Sequence, residues 1–264
     1  MKRSVFKSVA RILRNLGLAV ILLLAGPLMA AVTGQVNVSR SWSEASRAST
    51  GLAPDPAFVR EPVVQVYGAR AFGWRGAFAV HTWVSVKREN ATEFSTYEVI
   101  GWRFWGGRSP LVRRDGAPDR RWFGSTPEVY VDLRGPKVEA VIDKIELAIQ
   151  SYPHANDYKT WPGPNSNTFT ATIGRAVPEL RLELPPTAVG KDYLGATTLA
   201  ARTPSGTGVQ LSALGLLGVM AGLEEGLEVS VLGLAFGVDP LDLAIKLPGI
   251  GRIGGIDKPQ RRLQ

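Results

Sequence analysis

AFAVHTWVSVK, residues 77–87, alternates with a period of two: Phe78, Val80, Val84 and Val86 fall on one side, Ala79, His81, Trp83 and Ser85 on the other. Consecutive side chains of a strand point to opposite faces, so the segment is a strand with an aliphatic stripe behind and a histidine in front. Three more segments share its character: VVQVYGAR (63–70), FSTYEVIGWRFW (94–105) and EVYVDL (128–133), all rich in Val, Tyr, Phe or Trp and bounded by Gly, Pro, Asn or charged residues. A turn within RENATE (88–93) brings the next strand back antiparallel. Either Glu98 or Val99 then lies opposite His81, depending on one residue of register. A carboxylate there orients and charge-stabilises the imidazole; with Val99 opposite, that role lapses.

Beyond Gly135 the period changes. Val138, Val141, Ile142, Ile145, Ala148 and Ile149 recur three and four apart, and Pro136 suits a first turn, which predicts an amphipathic helix over 136–150. A shorter helix is expected over 166–177, with Phe169, Ile173, Ala176 and Val177 on its apolar face, Asn165 as its N-cap and Pro178 as its stop. The fold class is therefore α+β: an antiparallel sheet over 62–133 packed by two helices, the core spanning 61–185.

The flanks differ from this core. After Pro185-Pro186 the chain turns Gly/Leu-rich, and two apolar runs, Val209–Leu223 and Leu227–Val238, flank Glu224-Glu225-Gly226. Each run is short for a membrane helix, so the extension 186–264 is expected to hold a long β-hairpin that extends the sheet, covers an edge or lies against a bilayer. Residues 35–60, rich in Ser and Ala without a sustained period, read as a linker or loose lead-in.

At the other end Lys2, Arg3, Lys7, Arg11 and Arg14 precede an uncharged apolar run from Leu16 to about Gly34. Segment 1–34 is a signal peptide or a membrane anchor. Basic residues before the run place the N-terminus in the cytoplasm and the rest of the chain outside, at the inner membrane facing the periplasm or, after cleavage, exported. The net charge of +8 is concentrated at the two ends, and no RNA-binding aromatic motif or zinc-finger spacing accompanies it, which argues against nucleic acid. The chain contains no cysteine, so there is no disulfide framework.

WPGPNSNTF (161–169) places Ser166 at a helix start, between two asparagines. Backbone N–H groups there can stabilise a developing oxyanion, and a serine hydroxyl needs a base such as His81 to lose its proton as it attacks. The competing reading is simple capping of the helix by Asn165 or Ser166, with Asn167 bracing the preceding loop.

AVHTWV on an early strand followed by Asn-Ser-Asn-Thr-Phe at a helix start resembles the permuted papain-like peptidases of the PPPDE group. In those a strand histidine precedes a helix-borne cysteine in an Asn-Cys-Asn-Thr-Phe context. The resemblance implies a permuted papain-like fold, with His81 in the place of the base and Ser166 in that of the nucleophilic cysteine. Serine for cysteine is a departure, because such sites rely on an ion pair that a hydroxyl does not form. The chain as a whole, GKDYL (190–194) and the tail included, also resembles a bacterial membrane-associated family known only as a domain of unknown function. Ser166, His81 and Glu98 are thus the candidate catalytic residues, with Asn165, Asn167, Trp83 and Trp161 as candidate binding residues. The expected activity is hydrolysis or acyl transfer at an amide or ester; the alternatives are a non-catalytic envelope protein that binds a peptide, glycan or lipid and a structural membrane-associated protein.

Other groups carry competing readings. Trp74, Trp83, Trp102, Trp105, Trp122 and Trp161 either pack the core or a strand edge, or line a groove for a glycan or lipid chain. His154 reads as a surface-loop residue without a His or Cys partner at ligand spacing, which argues against a metal, and no cofactor is implied. Asp115, Asp119, Arg113, Arg114, Arg120 and Arg121 in RRDGAPDRRW, together with Glu128 and Asp132, read as solvated charge.

Overall fold

The computed structural model describes residues 2–34, 36, 41–255 and 260–264. A long apolar helix, α1 (Lys2–Val32), leads into an α+β body. In chain order come β1 (Val63–Arg70), β2 (Val80–Lys87), β3 (Phe94–Val99), a short helix α2 (Gly101–Trp105), β4 (Leu111–Gly116) and β5 (Glu128–Arg134). The helices α3 (Val138–Gln150) and α4 (Ser166–Ala176) follow. Seven short strands come next: β6 (Ala200–Arg202), β7 (Gly208–Ala213), β8 (Leu217–Gly222), β9 (Gly226–Val231), β10 (Leu234–Asp239), β11 (Ala244–Leu247) and β12 (Gly251–Gly254). A last two-residue strand, β13 (Arg261–Arg262), closes the chain.

The first sheet has the order β13-β5-β1-β2-β3-β4, antiparallel except where β13 joins β5. Val64, Val66, Val84 and Val86 project from one face onto Val138, Ile142 and Ile145 of α3 and Phe169 and Ile173 of α4, forming one fully buried core. Here the 2.0 and 3.6 periods meet, and the apolar stripe of each element is covered. The opposite face carries Tyr67 stacked on Trp83, with Trp122 packed against them.

Three expectations are corrected. FSTYEVIGWRFW is not one strand: β3 ends at Val99, and 101–105 coil into α2, whose first residue, Gly101, packs so closely on Tyr158 that a Cβ there would strike the ring at 2.4 Å. The first residues of RRDGAPDRRW, read as solvated charge, are instead the end of β4, paired with β3 from Phe94↔Gly116 to Val99↔Leu111. The extension is not one long hairpin. Each apolar run folds on itself, giving a separate seven-stranded meander with the order β12-β11-β10-β9-β8-β7-β6. Leu214, Gly215, Leu232 and Gly233 take positive φ at the turns that split the runs.

Residues 35 and 37–40 at the start of the expected linker lie outside the described residues; the stretch after them is not loose. Asp119 is buried and accepts hydrogen bonds from Ser49 Oγ (2.7 Å) and from the N–H groups of Thr50, Leu52 and Ala53. Burial alone would raise its carboxyl, yet these donors hold it below the ordinary value, so Asp119 is a buried anchor and not solvated charge.

Between the two sheets lies α4. One side packs on β2; at the other, Arg175 donates to the Lys191 carbonyl (2.8 Å) and to Gln210 Oε1 (2.6 Å) of the meander. The meander turns a polar face inward, where Lys191 and Lys246 both pair with Glu228, and Lys246 also reaches Glu183 at 2.7 Å. Arg252 sits among the converging carboxylates of Glu183, Asp239 and Asp242.

Candidate functional site

The site is built on the first turn of α4. Asn165 is its N-cap: Oδ1 accepts from the N–H groups of Asn167 (2.9 Å) and Thr168 (3.2 Å), while Thr168 Oγ1 accepts from the Asn165 N–H at 3.1 Å, a complete capping box. Its Nδ2 donates to the Thr160 and Val189 carbonyls, and Asn167 Nδ2 donates to those of Val80 and Val189. Both amides are thereby committed to holding the helix start against β2 and the 187–190 loop. Gly190 permits this approach, since at φ +100° a Cβ there would stand 2.3 Å from Asn165 Nδ2. Capping thus belongs to Asn165. Among the described residues no hydrogen bond engages Ser166 Oγ, and Ser166 lines a cleft.

His81 reaches the same cleft from the start of β2. The register matches neither alternative for the residue opposite it. β2 and β3 pair as Val84↔Tyr97, Ser85↔Thr96 and Val86↔Ser95, which continued places Glu98 opposite Trp83 and Ile100 opposite His81. Glu98 is one step along the same face, and from there its Oε2 lies 3.0 Å from His81 Nε2. Side chains on one face of a sheet reach diagonal neighbours as well as direct ones, so the carboxylate meets the ring without being opposite it. Burial raises the Glu98 carboxyl, but His81 and Arg114 (3.5 Å from Oε1) outweigh it and hold it below the ordinary carboxylate range. An ionised Glu98 accepts from Nε2–H, which leaves Nδ1 as the ring nitrogen able to take a proton. The imidazole is clamped by Trp122, stacked at 3.6 Å and 13°.

The cleft has a volume of about 840 Å³ and brings together Phe72, Trp74, Phe78, Trp102, Trp105 and Trp161 beside His81 and Ser166. Asn165 and Asn167 contribute to its floor, and the Trp161 ring nitrogen donates to the Leu232 carbonyl of the meander at 2.8 Å. Trp83 lies beside the histidine, with ring centroids 5.7 Å apart: it is buried, donates to the Pro118 carbonyl and does not line the cleft. His154 lies in the loop after α3, tilted against Tyr193.

Alternation along β2 puts Thr82, not His81, against α4. Its Oγ1 lies 3.0 Å from Asn167 Oδ1, 2.9 Å from Thr170 Oγ1 and 3.2 Å from the Ser166 carbonyl. His81 and Ser166 share the cleft, and no hydrogen bond joins them. Sequence reasoning did not single out Thr82, and it named Trp122 as a core or groove residue and Arg114 as solvated charge without attaching either to the His81–Glu98 pair. Thr82 was accessible from the period of β2, whereas Trp122 comes from a loop that no local pattern attaches to His81.

The fold and site define an α+β protein with two antiparallel-rich sheets, a cysteine-free chain, and an aromatic cleft in which a buried His–Glu pair and a helix-capped serine converge. The family model described as "Protein of unknown function (DUF3750)" matches residues 61–193, and the chain belongs to that family. The match runs from just before β1 through Lys191 and Asp192, so it contains His81, Glu98 and Ser166. No curated protein and no solved structure matches the chain. Within α1, Arg11–Val32 is long and apolar enough to be a membrane span or a signal sequence.

Proposed function

We propose that the chain is a hydrolase or acyltransferase of the bacterial envelope, acting on an amide or ester, anchored through α1 with its body outside the cytoplasm or exported after cleavage. The observation that carries this reading is Ser166: a hydroxyl at a helix N-terminus, relieved of capping by Asn165, in the same cleft as a buried His81–Glu98 pair. The order of the motifs, a strand histidine and then Asn-Ser-Asn-Thr-Phe opening a helix, supports a permuted papain-like relationship.

In this mechanism Ser166 Oγ bonds to the carbonyl carbon and its proton passes to His81 Nδ1, while Glu98 stabilises the imidazolium through Nε2. The N–H groups of Asn167 and Thr168 are taken by Asn165 Oδ1. The Ser166 N–H is the first-turn donor left for the oxyanion. His81 then protonates the departing oxygen or nitrogen as the bond to carbon breaks. Water or an acceptor hydroxyl or amine next attacks the acyl-serine, losing its proton through His81 and restoring Ser166.

A second reading, a binding cleft without turnover, is favoured by one observation: Thr82 occupies the contact with α4 that a base would need. A fluorophosphonate probe separates the two. The catalytic reading expects one adduct, at Ser166, absent from Ser166→Ala and strongly slowed in His81→Ala. Absence of any adduct, with ligand still bound in the cleft, supports the second.

A further inference from the structure

The cleft contains the clue to its ligand. Among the described residues no Asp or Glu lines it, and the two asparagine amides on its floor are committed to backbone carbonyls. A sugar needs unoccupied hydrogen-bonding groups to bind its hydroxyls, and a peptide needs them for its backbone; this wall of aromatic rings provides few. Two cations border it, Arg47 over the Phe123 ring and Arg75 over that of Trp74. Apolar volume with cations beside it suits a hydrocarbon chain attached to an anionic head.

The placement of α1 gives the source. Its C-terminal part is docked on the body: at Gly26 a Cβ would stand 1.9 Å from the Pro248 carbonyl oxygen, and Ala30 is buried with Val36 and Ala77 against Phe78. Arg70 fixes this junction by donating to the Gly76 and Ile250 carbonyls. The apolar segment has 22 residues, about 33 Å of helix at 1.5 Å per residue, against roughly 30 Å of bilayer hydrocarbon. A helix with so little surplus length cannot cross while its last turns stay on the body, unless the body itself enters the headgroup layer. The surface brought there includes Phe78, which touches both α1 and the cleft, and Trp74, 63% exposed. Exposed tryptophans are suited to that layer. The outward face of the meander continues the same surface: Leu211, Val219 and Val229 are exposed in adjacent strands, and Leu234, paired with Val231, enters the cleft.

We infer that the cleft accepts the acyl chain of an anionic membrane phospholipid, drawn from the leaflet past Trp74 and Phe78, with its ester carbonyl beside Ser166. This rests on the cleft assigned above and names the substrate class of that site. In the reaction, the acyl chain moves from the lipid oxygen to Ser166 Oγ, and lysolipid leaves with the proton from His81. Water then releases the fatty acid.

The test uses the full chain in phosphatidylglycerol nanodiscs doped with a phosphatidylglycerol carrying a diazirine on its acyl chain, with photoadducts mapped by mass spectrometry. Adducts are expected on Phe78, Trp102 or Tyr158, undiminished in Ser166→Ala and reduced about tenfold in Ala71→Trp, which fills the cleft. Trp105→Asp, at an exposed position that folding tolerates, is expected to lower them as well. Adducts confined to α1, or cleft adducts indifferent to both variants, overturn the proposal. Cleft labelling by a diazirine fatty acid with none by the phospholipid overturns the membrane-lipid source. Lipid adducts in the cleft without a phosphonate adduct on Ser166 support the acyl site while removing the catalytic reading. A phosphonate adduct on Ser166 without lipid adducts in the cleft overturns the acyl site and leaves catalysis standing.

Discussion

The two sheets use the same alternation and turn it opposite ways. In the first, Val64, Val66, Val84 and Val86 face the helices and are fully buried. In the meander the buried positions include Gln210, Ser212, Glu228, Ser230, Asp239 and Lys246 beside the smaller apolar set Met220, Ala235 and Ala244, while Leu211, Val219, Val229 and Ile245 face outward. A period of two identifies a strand and its two faces, and says nothing about which face is covered. What inverts the meander is its neighbour: Lys191, Asp192, Glu183 and Arg175 present charges that only a polar face can meet. The first sheet is held by apolar burial, the second by a buried ionic network with its apolar face turned outward.

The largest expected effect comes from breaking that network. Glu228 serves both Lys191 and Lys246, so Glu228→Leu leaves two buried ammonium groups short of a partner. It is expected to cost about 3–5 kcal/mol in the urea unfolding free energy of the full chain in mild detergent. Ile145→Val in the first core is expected to cost only about 0.5–1.5 kcal/mol. A Glu228→Leu variant no less stable than Ile145→Val would mean that the network does not hold the meander.

Acid is the next test of the contrast. Burial raises the Glu228 carboxyl, but Lys191 and Lys246 outweigh it and leave it below its ordinary value of 4.5; Glu98 is lowered likewise by His81 and Arg114. A carboxyl lowered in the folded state stabilises above its unfolded pKa and loses that contribution as pH falls through the folded value. The urea midpoint should therefore hold steady from neutral pH to about 5 and drop below about 4.5. Glu228→Gln should flatten the drop, and a midpoint insensitive to acid would contradict the assignment.

Much of the first sheet was legible because its elements obey local rules. The alternation of β2, the period of α3 and the cap at Asn165 each depend on residues within one or two turns of one another. The meander was less legible: Glu224-Glu225-Gly226 marked one turn, but the turns at Leu214-Gly215 and Leu232-Gly233 lie inside apolar runs, where nothing polar signals them. The His81–Glu98 contact was half legible. Face assignment is local, whereas pairing depends on where β3 begins, and the diagonal contact made the exact partner matter less than the face.

Smaller effects probe the site's scaffold. Asn165→Ala removes the cap and the two Nδ2 bonds, and is expected to cost about 1–2 kcal/mol, read from the thermal midpoint. Ser166→Ala, which removes no hydrogen bond, should leave it unchanged to within about 0.5 kcal/mol. On the outward meander face, Val219→Ser and Leu211→Ser should likewise fall within about 0.5 kcal/mol while weakening flotation with phosphatidylglycerol vesicles. A large loss of stability from either would mean that this face is covered within the molecule.

The central claim is that His81 takes the proton of Ser166 Oγ, and a cysteine-free chain allows it to be tested with one reporter. In the Ser166→Cys variant the introduced thiol is the only one, and the pH dependence of its alkylation by iodoacetamide gives its pKa. A thiol at this helix N-terminus beside His81 is expected to titrate near 6, roughly two pH units below an unperturbed cysteine at about 8.5, and to return towards that value when His81→Ala is added. A pKa near 8.5 in both variants would contradict the account.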